Sequence, residues 1–414
     1  MTNPWIPWMR RALQLAALGA GRTSPNPLVG AVVLDAEGTW VGEGYHARAG
    51  EPHAEVGALA QAGERARGGT LIVTLEPCCH QGRTPPCCEA VIAAGIERVV
   101  LALRDPNPRV NGGGIERLRA AGIAVIEGVA EAEAQRQNAA FLHRITTGRP
   151  LGILKWAMSL DGRTALPNGA SHWISGPAAR AWVHQLRAHC DAVIVGGGTL
   201  RADDPLLTSR GQRRPEPLRV VLSHGLDLPG SARLWDTSVA PTLVAHGPEA
   251  PLARRQAFDR LLPRTGRPMA ASLQGAKAAA AAPGANGDPP AAPLVERTPA
   301  PGGMERLELT ACEPRALLVA LAERGCNQVL WECGPELAAA ALRQGCVQQL
   351  AAVIAPKLLG GEPARTPLGP LGGQTLEDAW RLNGSQQRWL AQDLLWRSHV
   401  EPPGGWSDGG VSRG

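Results

Sequence analysis

Short, almost wholly apolar runs recur along the chain, and they constrain its fold more than any other feature. Leu28–Leu34, Thr70–Leu75 and Val99–Leu103 each read as a strand buried on both faces, because few polar residues interrupt them. Helical stretches lie between them, around 53–66 and 86–95. This alternation gives residues 1–146 the pattern of an α/β/α sandwich with a largely parallel sheet. Thr146-Thr147-Gly148-Arg149-Pro150 breaks the pattern and reads as a domain boundary. A second α/β domain is expected over 150–400. Its strand candidates are Leu151–Met158, Ala192–Val195, Leu218–Leu222, Thr242–Ala245, Glu305–Leu309, Gln328–Glu332 and Gln349–Ile354. Its helical stretches are 176–189, 313–324 and 335–344.

One segment departs from this pattern. Residues 248–303 lose periodicity and include Ala278–Ala282 followed by Pro283-Gly284. Such a stretch buries too little to offset its ordering entropy, so a disordered surface insertion is expected. Its arginine-bearing start, Leu252–Arg264, is compatible with a helix. The end of the chain, from Gly404, is expected to fray.

Composition excludes several classes. With 44% hydrophobic and 19% charged residues, collagen, a coiled coil or a wholly disordered chain is ruled out. A net charge of +5 over 414 residues leaves no broad basic face for nucleic acid. No apolar run reaches the ~18 residues that a membrane span needs. Arg10-Arg11 and the apolar residues after them fit one helical face better than a twin-arginine signal. The nine cysteines are odd in number, and four form the adjacent pairs Cys78-Cys79 and Cys87-Cys88. They read as reduced thiols with a local task, which points to the cytoplasm.

The first chemical constellation is His53-Ala54-Glu55 after Pro52, then Glu76-Pro77-Cys78-Cys79-His80, then Pro85-Pro86-Cys87. One imidazole and two thiolates leave a zinc position open, as catalytic sites do. Zinc there would lower the pKa of a bound water, and a neighbouring carboxylate would carry protons. Glu55 reaches the same metal only if the metal sits at the helix start, where Pro52 places it. Cys78 and Cys87 each follow a proline directly and are the preferred ligands over Cys79 and Cys88. The His-x-Glu and Pro-Cys parts fit the zinc base-deaminase pattern, whereas the spacing between the cysteines is longer than that pattern has.

The long spacer Pro77–Cys87, together with Thr23–Gly30 and Asp105-Pro106-Asn107-Pro108, closely resembles the deaminase half of the bifunctional riboflavin-biosynthesis deaminase/reductase family. The resemblance implies a cytidine-deaminase-like sandwich with Zn2+ on His53, Cys78 and Cys87, and proton transfer by Glu55. It makes Asn26, His80 and Arg83 candidates for substrate contact. Arg83 suits a phosphate held by two parallel hydrogen bonds. The family deaminates 2,5-diamino-6-ribosylamino-4(3H)-pyrimidinone 5′-phosphate and then reduces its ribose.

A second set of polar groups follows strands in the second domain. Lys155 is one of three lysines in an arginine-rich chain. Val193-Ile194-Val195 runs into Gly196-Gly197-Gly198-Thr199, and Glu332-Cys333-Gly334-Pro335-Glu336 leads into a helix whose N-terminus suits an anion. Lys155–Gly162, Ser171–Ser175, Gly198-Thr199, Ala202–Pro205 and Ala355–Gly361 resemble the reductase half of the same family, whose fold is similar to dihydrofolate reductase. By that resemblance NADPH touches Ala157, Trp173, Thr199, Asp203, Ser223, Gly334, Pro335 and Glu336. The substrate touches Ser171, Arg187, Leu207, Arg210 and Glu332, with Arg187 and Arg210 as phosphate partners. Lys155 and Glu332 are the candidates for stabilising or protonating developing charge, and the residues do not choose between them. A small sugar-phosphate pyrimidine substrate, no nucleic acid, no membrane and a homodimer are expected. Two rival readings are a nucleoside or tRNA deaminase, and a non-enzymatic zinc module closed by Cys79, Cys88 or His80.

Overall fold

The computed structural model describes residues 3–79, 86–107, 110–171, 173–262, 303–361 and 364–404. Two sheets carry the chain. The first has strands β1 (Gly30–Leu34), β2 (Trp40–Tyr45), β3 (Thr70–Leu75), β4 (Arg98–Leu103) and β5 (Ala124–Ile126), in the order β2-β1-β3-β4-β5. Their side chains alternate between two cores, as a period of two requires. Ala31, Val33, Leu71, Val73, Val99 and Leu101 face the helices Ala54–Ala62, Cys87–Ala93 and Gly113–Ala120. Val32, Leu34, Ile72, Val100 and Ala102 face the helices Ile6–Ala17, Glu131–Gln137 and Ala139–Thr147.

The expectation of a largely parallel first sheet needs correcting. Strands β3, β4 and β5 are parallel, but β1 runs antiparallel to both β2 and β3. The five residues between β1 and β2 are too few for a crossover, so a hairpin forms. Asp35 closes it by accepting from the Thr39 amide at 2.8 Å, and Gly38 supplies a positive φ of 82°.

The second sheet has β6 (Leu151–Ser159), β7 (Ala192–Gly196), β8 (Leu218–Leu222), β9 (Thr242–His246), β10 (Met304–Glu308), β11 (Gln328–Trp331), β12 (Gln349–Ala355), β13 (Arg381–Leu390) and β14 (Asp393–Glu401). Its order is β10-β9-β8-β7-β11-β6-β12-β14-β13. Strands β6 to β12 pair in parallel, and β14 and β13 close the edge antiparallel. Successive strands build outward from β7 in one direction, while β11, β6 and β12 lie on its other side. That reversal opens a crevice beyond the carboxyl ends of β7, β11 and β6, where ligands bind in sheets of this kind.

Helices cover both faces here too. Trp331 is fully buried on one face, and its indole N–H donates to the Cys346 carbonyl at 3.0 Å. A Cβ on Gly152 would lie 2.0 Å from that same oxygen, so only glycine lets β6 approach. Truncating a buried Leu of these cores to Ala would cost ~2–5 kcal/mol. The start of the expected insertion is ordered: helix Leu252–Asp259 buries Phe258, which meets Trp235 edge to face with ring centres 5.4 Å apart. That anchor, with the ion pairs Arg254–Asp227, Arg255–Glu308 and Arg306–Asp259, holds a helix whose sequence has little periodic apolar signal. The rest of the insertion, 263–302, lies outside the described residues.

Candidate active sites

The first site sits where two helices begin beside the end of β3. His53 is the N-cap of helix Ala54–Ala62 and makes no side-chain cap, so its ring is available elsewhere. Cys87 opens helix Cys87–Ala93 after Pro86. Cys78 leaves β3 through Glu76-Pro77. These three converge: His53 Nδ1 lies 3.1 Å from Cys87 Sγ and 3.7 Å from Cys78 Sγ. All three ligand atoms lie within 4.8 Å of one another. Cys79 and Cys88 are not in the group. Cys88 is buried and donates its thiol to the carbonyls of Pro77 and Gly114, and burial pushes it up to about 12.

The loop carrying Cys78 is tied down by Glu76, which the sequence did not single out. Its carboxylate accepts four backbone amides, from Asp105, Gly112, Gly114 and Ile115, at 3.0–3.2 Å. Cys78 is held at about 4, well below the usual thiol range, by its hydrogen bond with Cys87, although burial opposes the shift. The same contact pushes Cys87 up. A thiolate at Cys78 is the form a metal requires.

Glu55, in the first turn of helix Ala54–Ala62, is buried at 3% exposure. Burial raises its carboxyl above the ordinary range, and its Oε2 has no hydrogen-bond partner among the described residues. The donor set of one imidazole nitrogen and two thiols suits zinc, and the orphan oxygen beside it suits a water held there. His46, also unremarked in the sequence, is buried against this set. Its ring meets that of His53 edge to face at 5.3 Å, and Asn26 Nδ2 lies 3.0 Å from its Nε2. His80 and Arg83 lie outside the described residues.

The second site lies in the crevice of the nine-stranded sheet. Lys155 on β6 and Glu332 after β11 meet at 3.4 Å. Arg187, from helix Pro177–His189, places Nε at 2.5 Å and a terminal nitrogen at 3.1 Å from the two Glu332 oxygens, and donates to the Thr208 carbonyl at 3.0 Å. Its guanidinium is thus directed at Glu332. Burial alone would raise the Glu332 carboxyl, but the attraction of Arg187 and Lys155 brings it to about 2.

Glycines line the same crevice. Gly198 has open space where a side chain would stand, and the Gly334 amide donates to Thr199 Oγ1 at 3.1 Å. This bond sets the start of helix Gly197–Asp203 beside the start of helix Pro335–Arg343, whose first turn holds Pro335 and Glu336. Two helix starts, at Gly197 and Pro335, therefore stand side by side at one groove, a setting that suits the phosphates of a dinucleotide. Ala157 is half-buried on β6 and Ser223 caps the end of β8, on the same edge. Ser171 donates to Asp203 at 3.3 Å. Trp173 is exposed with the Arg180 guanidinium 4.2 Å over its ring. Leu207 is buried, and Arg210 is exposed in the same loop. Asp161 accepts from Ser159 Oγ at 2.5 Å and from the amides of Leu359 and Gly360 at 3.1 and 2.7 Å, which ties the β6 turn to the Ala355–Gly361 motif.

The fold and the two centres define an enzyme that joins a zinc-dependent base deaminase to a dinucleotide-dependent reductase. A family model for the cytidine and deoxycytidylate deaminase zinc-binding region matches residues 6–103, and one for the RibD C-terminal domain matches residues 150–389. The riboflavin biosynthesis protein RibD of Synechocystis is 45% identical over 392 residues, which is 95% of each chain. That of Escherichia coli K12 is 40% identical, over 94% of this chain and 97% of its own. A solved Acinetobacter baumannii RibD superposes with a TM-score of 0.78 at 36% identity, covering 95% of this chain and 98% of that one. A diaminohydroxyphosphoribosylaminopyrimidine deaminase/5-amino-6-(5-phosphoribosylamino)uracil reductase from Thermotoga maritima gives 0.76 at 32%, covering 96% and 98%. The chain belongs to the RibD family of bifunctional riboflavin-biosynthesis enzymes, with a deaminase and a reductase domain. Its cofactors are Zn2+ and NADPH. No helix among the described residues is long and apolar enough to cross a membrane.

Proposed function

We propose that the chain deaminates 2,5-diamino-6-(5-phosphoribosylamino)pyrimidin-4(3H)-one to 5-amino-6-(5-phosphoribosylamino)uracil at the first site, and reduces the ribose to the ribityl chain at the second. The observation that carries the deaminase assignment is the unpartnered buried oxygen of Glu55 beside the His53–Cys78–Cys87 set. Zinc, when bound by these three, supplies an activated water. Glu55 takes and returns the protons: its raised pKa suits a carboxyl that protonates the ring nitrogen and then the departing ammonia. Asn26 and His46 line the approach, and His80 and Arg83 are assigned to substrate contact by the family pattern.

NADPH supplies a hydride in the second site, to C1′ of the ring-opened ribose. Residues Ala157, Trp173, Thr199, Asp203, Ser223 and Gly334–Glu336 would hold the dinucleotide. The choice between Lys155 and Glu332 follows from charge. Glu332, at about 2, stays ionised and has no proton to give at neutral pH. Lys155, 3.4 Å from it, therefore meets the developing negative charge and Glu332 orients it. Arg187 in turn orients Glu332, which leaves exposed Arg210 for the phosphate, with Ser171 and Leu207 completing the pocket.

The chain is assigned to the cytoplasm, supported by nine thiols that form no disulfide. A homodimer is assigned too, supported by edge strand β13, which exposes nine of its ten residues. Light scattering tests the dimer. Incubation with the diaminopyrimidine substrate tests the reaction: ammonia is expected without NADPH, and NADPH consumption follows only when both steps run. Absence of both signals overturns the reading.

A further inference from the structure

Asp191 stands just before β7 and Asn327 just before β11, on the edge of the large sheet opposite Lys155, Thr199 and Glu332. The five residues of β7 put about 16 Å between the two edges. Both side chains are buried and reach into the first domain. Asp191 Oδ2 accepts from Ser24 Oγ at 2.9 Å, and is fixed by the amides of Asn327 and Gln328 at 2.8 and 3.1 Å. The Asn327 side-chain amide donates to the carbonyls of Pro25 and Asn26 at 3.2 and 3.4 Å, and its oxygen accepts from Arg144 Nε at 2.5 Å. Arg144 also donates to the Pro25 carbonyl at 2.9 Å. The Ser24–Asn26 turn is therefore gripped through its backbone by the reductase domain.

From this turn the Asn26 side chain leads toward the zinc ligands. Its Nδ2 donates to His46 Nε2 at 3.0 Å, and His46 Nδ1 donates to the Pro52 carbonyl at 3.2 Å, one residue before His53. The His46 ring rests on that of His53. The relay passes through His46, which is buried at 2% exposure and so has few alternative partners.

We propose that Asn327 and Asp191 of the reductase domain are positioning residues for the deamination reaction: through the Ser24–Asn26 turn they set Asn26 and His46 against His53. The inference rests on the assignment of the deaminase centre to His53, Glu55, Cys78 and Cys87. It makes deamination depend on the second domain, and not merely on its presence in the same chain.

The test uses the full chain. Asn327→Asp keeps the oxygen that faces Arg144 but replaces the amide donor with an acceptor facing two carbonyls. Asp191 is less suitable to change, because it also meets Arg213 at 3.5 Å, in the loop that carries Leu207 and Arg210. Asn327→Asp is expected to lower kcat/KM for ammonia release by about tenfold or more, the scale of a small misplacement in an active site. Zinc content and NADPH-dependent reduction of the deaminated substrate should stay within about twofold of wild type. Ser24→Ala, which deletes the hydroxyl's bonds to Asp191 and Asn327 and keeps the backbone, should act in the same direction if Asn327→Asp folds poorly. On an Asn26→Ala background, either change should add less than about twofold, because residues that act through one another do not combine independently. Unchanged ammonia release in both variants, a matching loss of reductase activity, or losses that multiply on the Asn26→Ala background would overturn the proposal. A wild-type chain that released no ammonia would instead overturn the deaminase assignment itself.

Discussion

Glu55, in the first turn of a helix, and Glu332, just past the end of β11, are both largely buried carboxylates, yet their environments drive them in opposite directions. Among the described residues Glu55 has no cation in hydrogen-bond contact and an unpartnered oxygen, and burial raises its pKa. Glu332 lies between Arg187 and Lys155, and falls to about 2. Burial favours the protonated form of the first, and two neighbouring cations favour the ionised form of the second. Residue type alone therefore assigns neither role; the neighbours do.

The largest effect expected from this contrast is on Glu55. Glu55→Gln keeps the shape and should cut deamination by roughly 10²–10⁴-fold, the usual contribution of a general acid–base. Zinc stoichiometry and the reductase rate should be unchanged. A normal rate of ammonia release would break the comparison. Glu332→Gln leaves two buried cations without their anion. Loss of one partner of a buried pair typically costs about 3–5 kcal/mol, readable as a fall in the urea midpoint of the reductase domain, with loss of reduction. A midpoint equal to wild type would mean that the triad is not desolvated.

The same pair gives a pH signature. The folded pKa of Glu332 lies below its ordinary 4.5, so its stabilising contribution is complete above that value and fades as pH falls toward about 2. The stability difference between wild type and Glu332→Gln should therefore shrink over that window and be constant above it. The smallest effect belongs to Cys88, outside the ligand set. Cys88→Ala should retain one zinc per chain and normal ammonia release, at a stability cost of about 1 kcal/mol. Loss of zinc in that variant would revive a closed, structural site.

The deaminase centre was legible because its ligands fall within residues 53–87 and each is marked by a neighbouring proline. The reductase centre is gathered from strands far apart in sequence, so its residues came from family resemblance, and the Arg187–Glu332 pairing needed the fold. Strand β2 escaped notice because it contains Gly42 and Gly44. Those glycines are a packing requirement: a Cβ at either would lie 2.3–2.5 Å from a carbonyl of helix Ala54–Ala62. Strand β13 is exposed along almost its whole length and so has no apolar face to read. His46 and Glu76 were missed for a different reason. Each works through hydrogen bonds to distant backbone or side chains, which no local spacing records.

The four amides gathered by Glu76 carry a further consequence. Of the three proposed zinc ligands, His53 caps one helix, Cys87 opens another, and Cys78 emerges from a loop fixed by a carboxylate. The helices and the Glu76 amides, contacts internal to the protein, hold the backbone that carries these ligands. Metal uptake should then be a docking event with little change in heat capacity, unlike that of small zinc modules that fold around their ion.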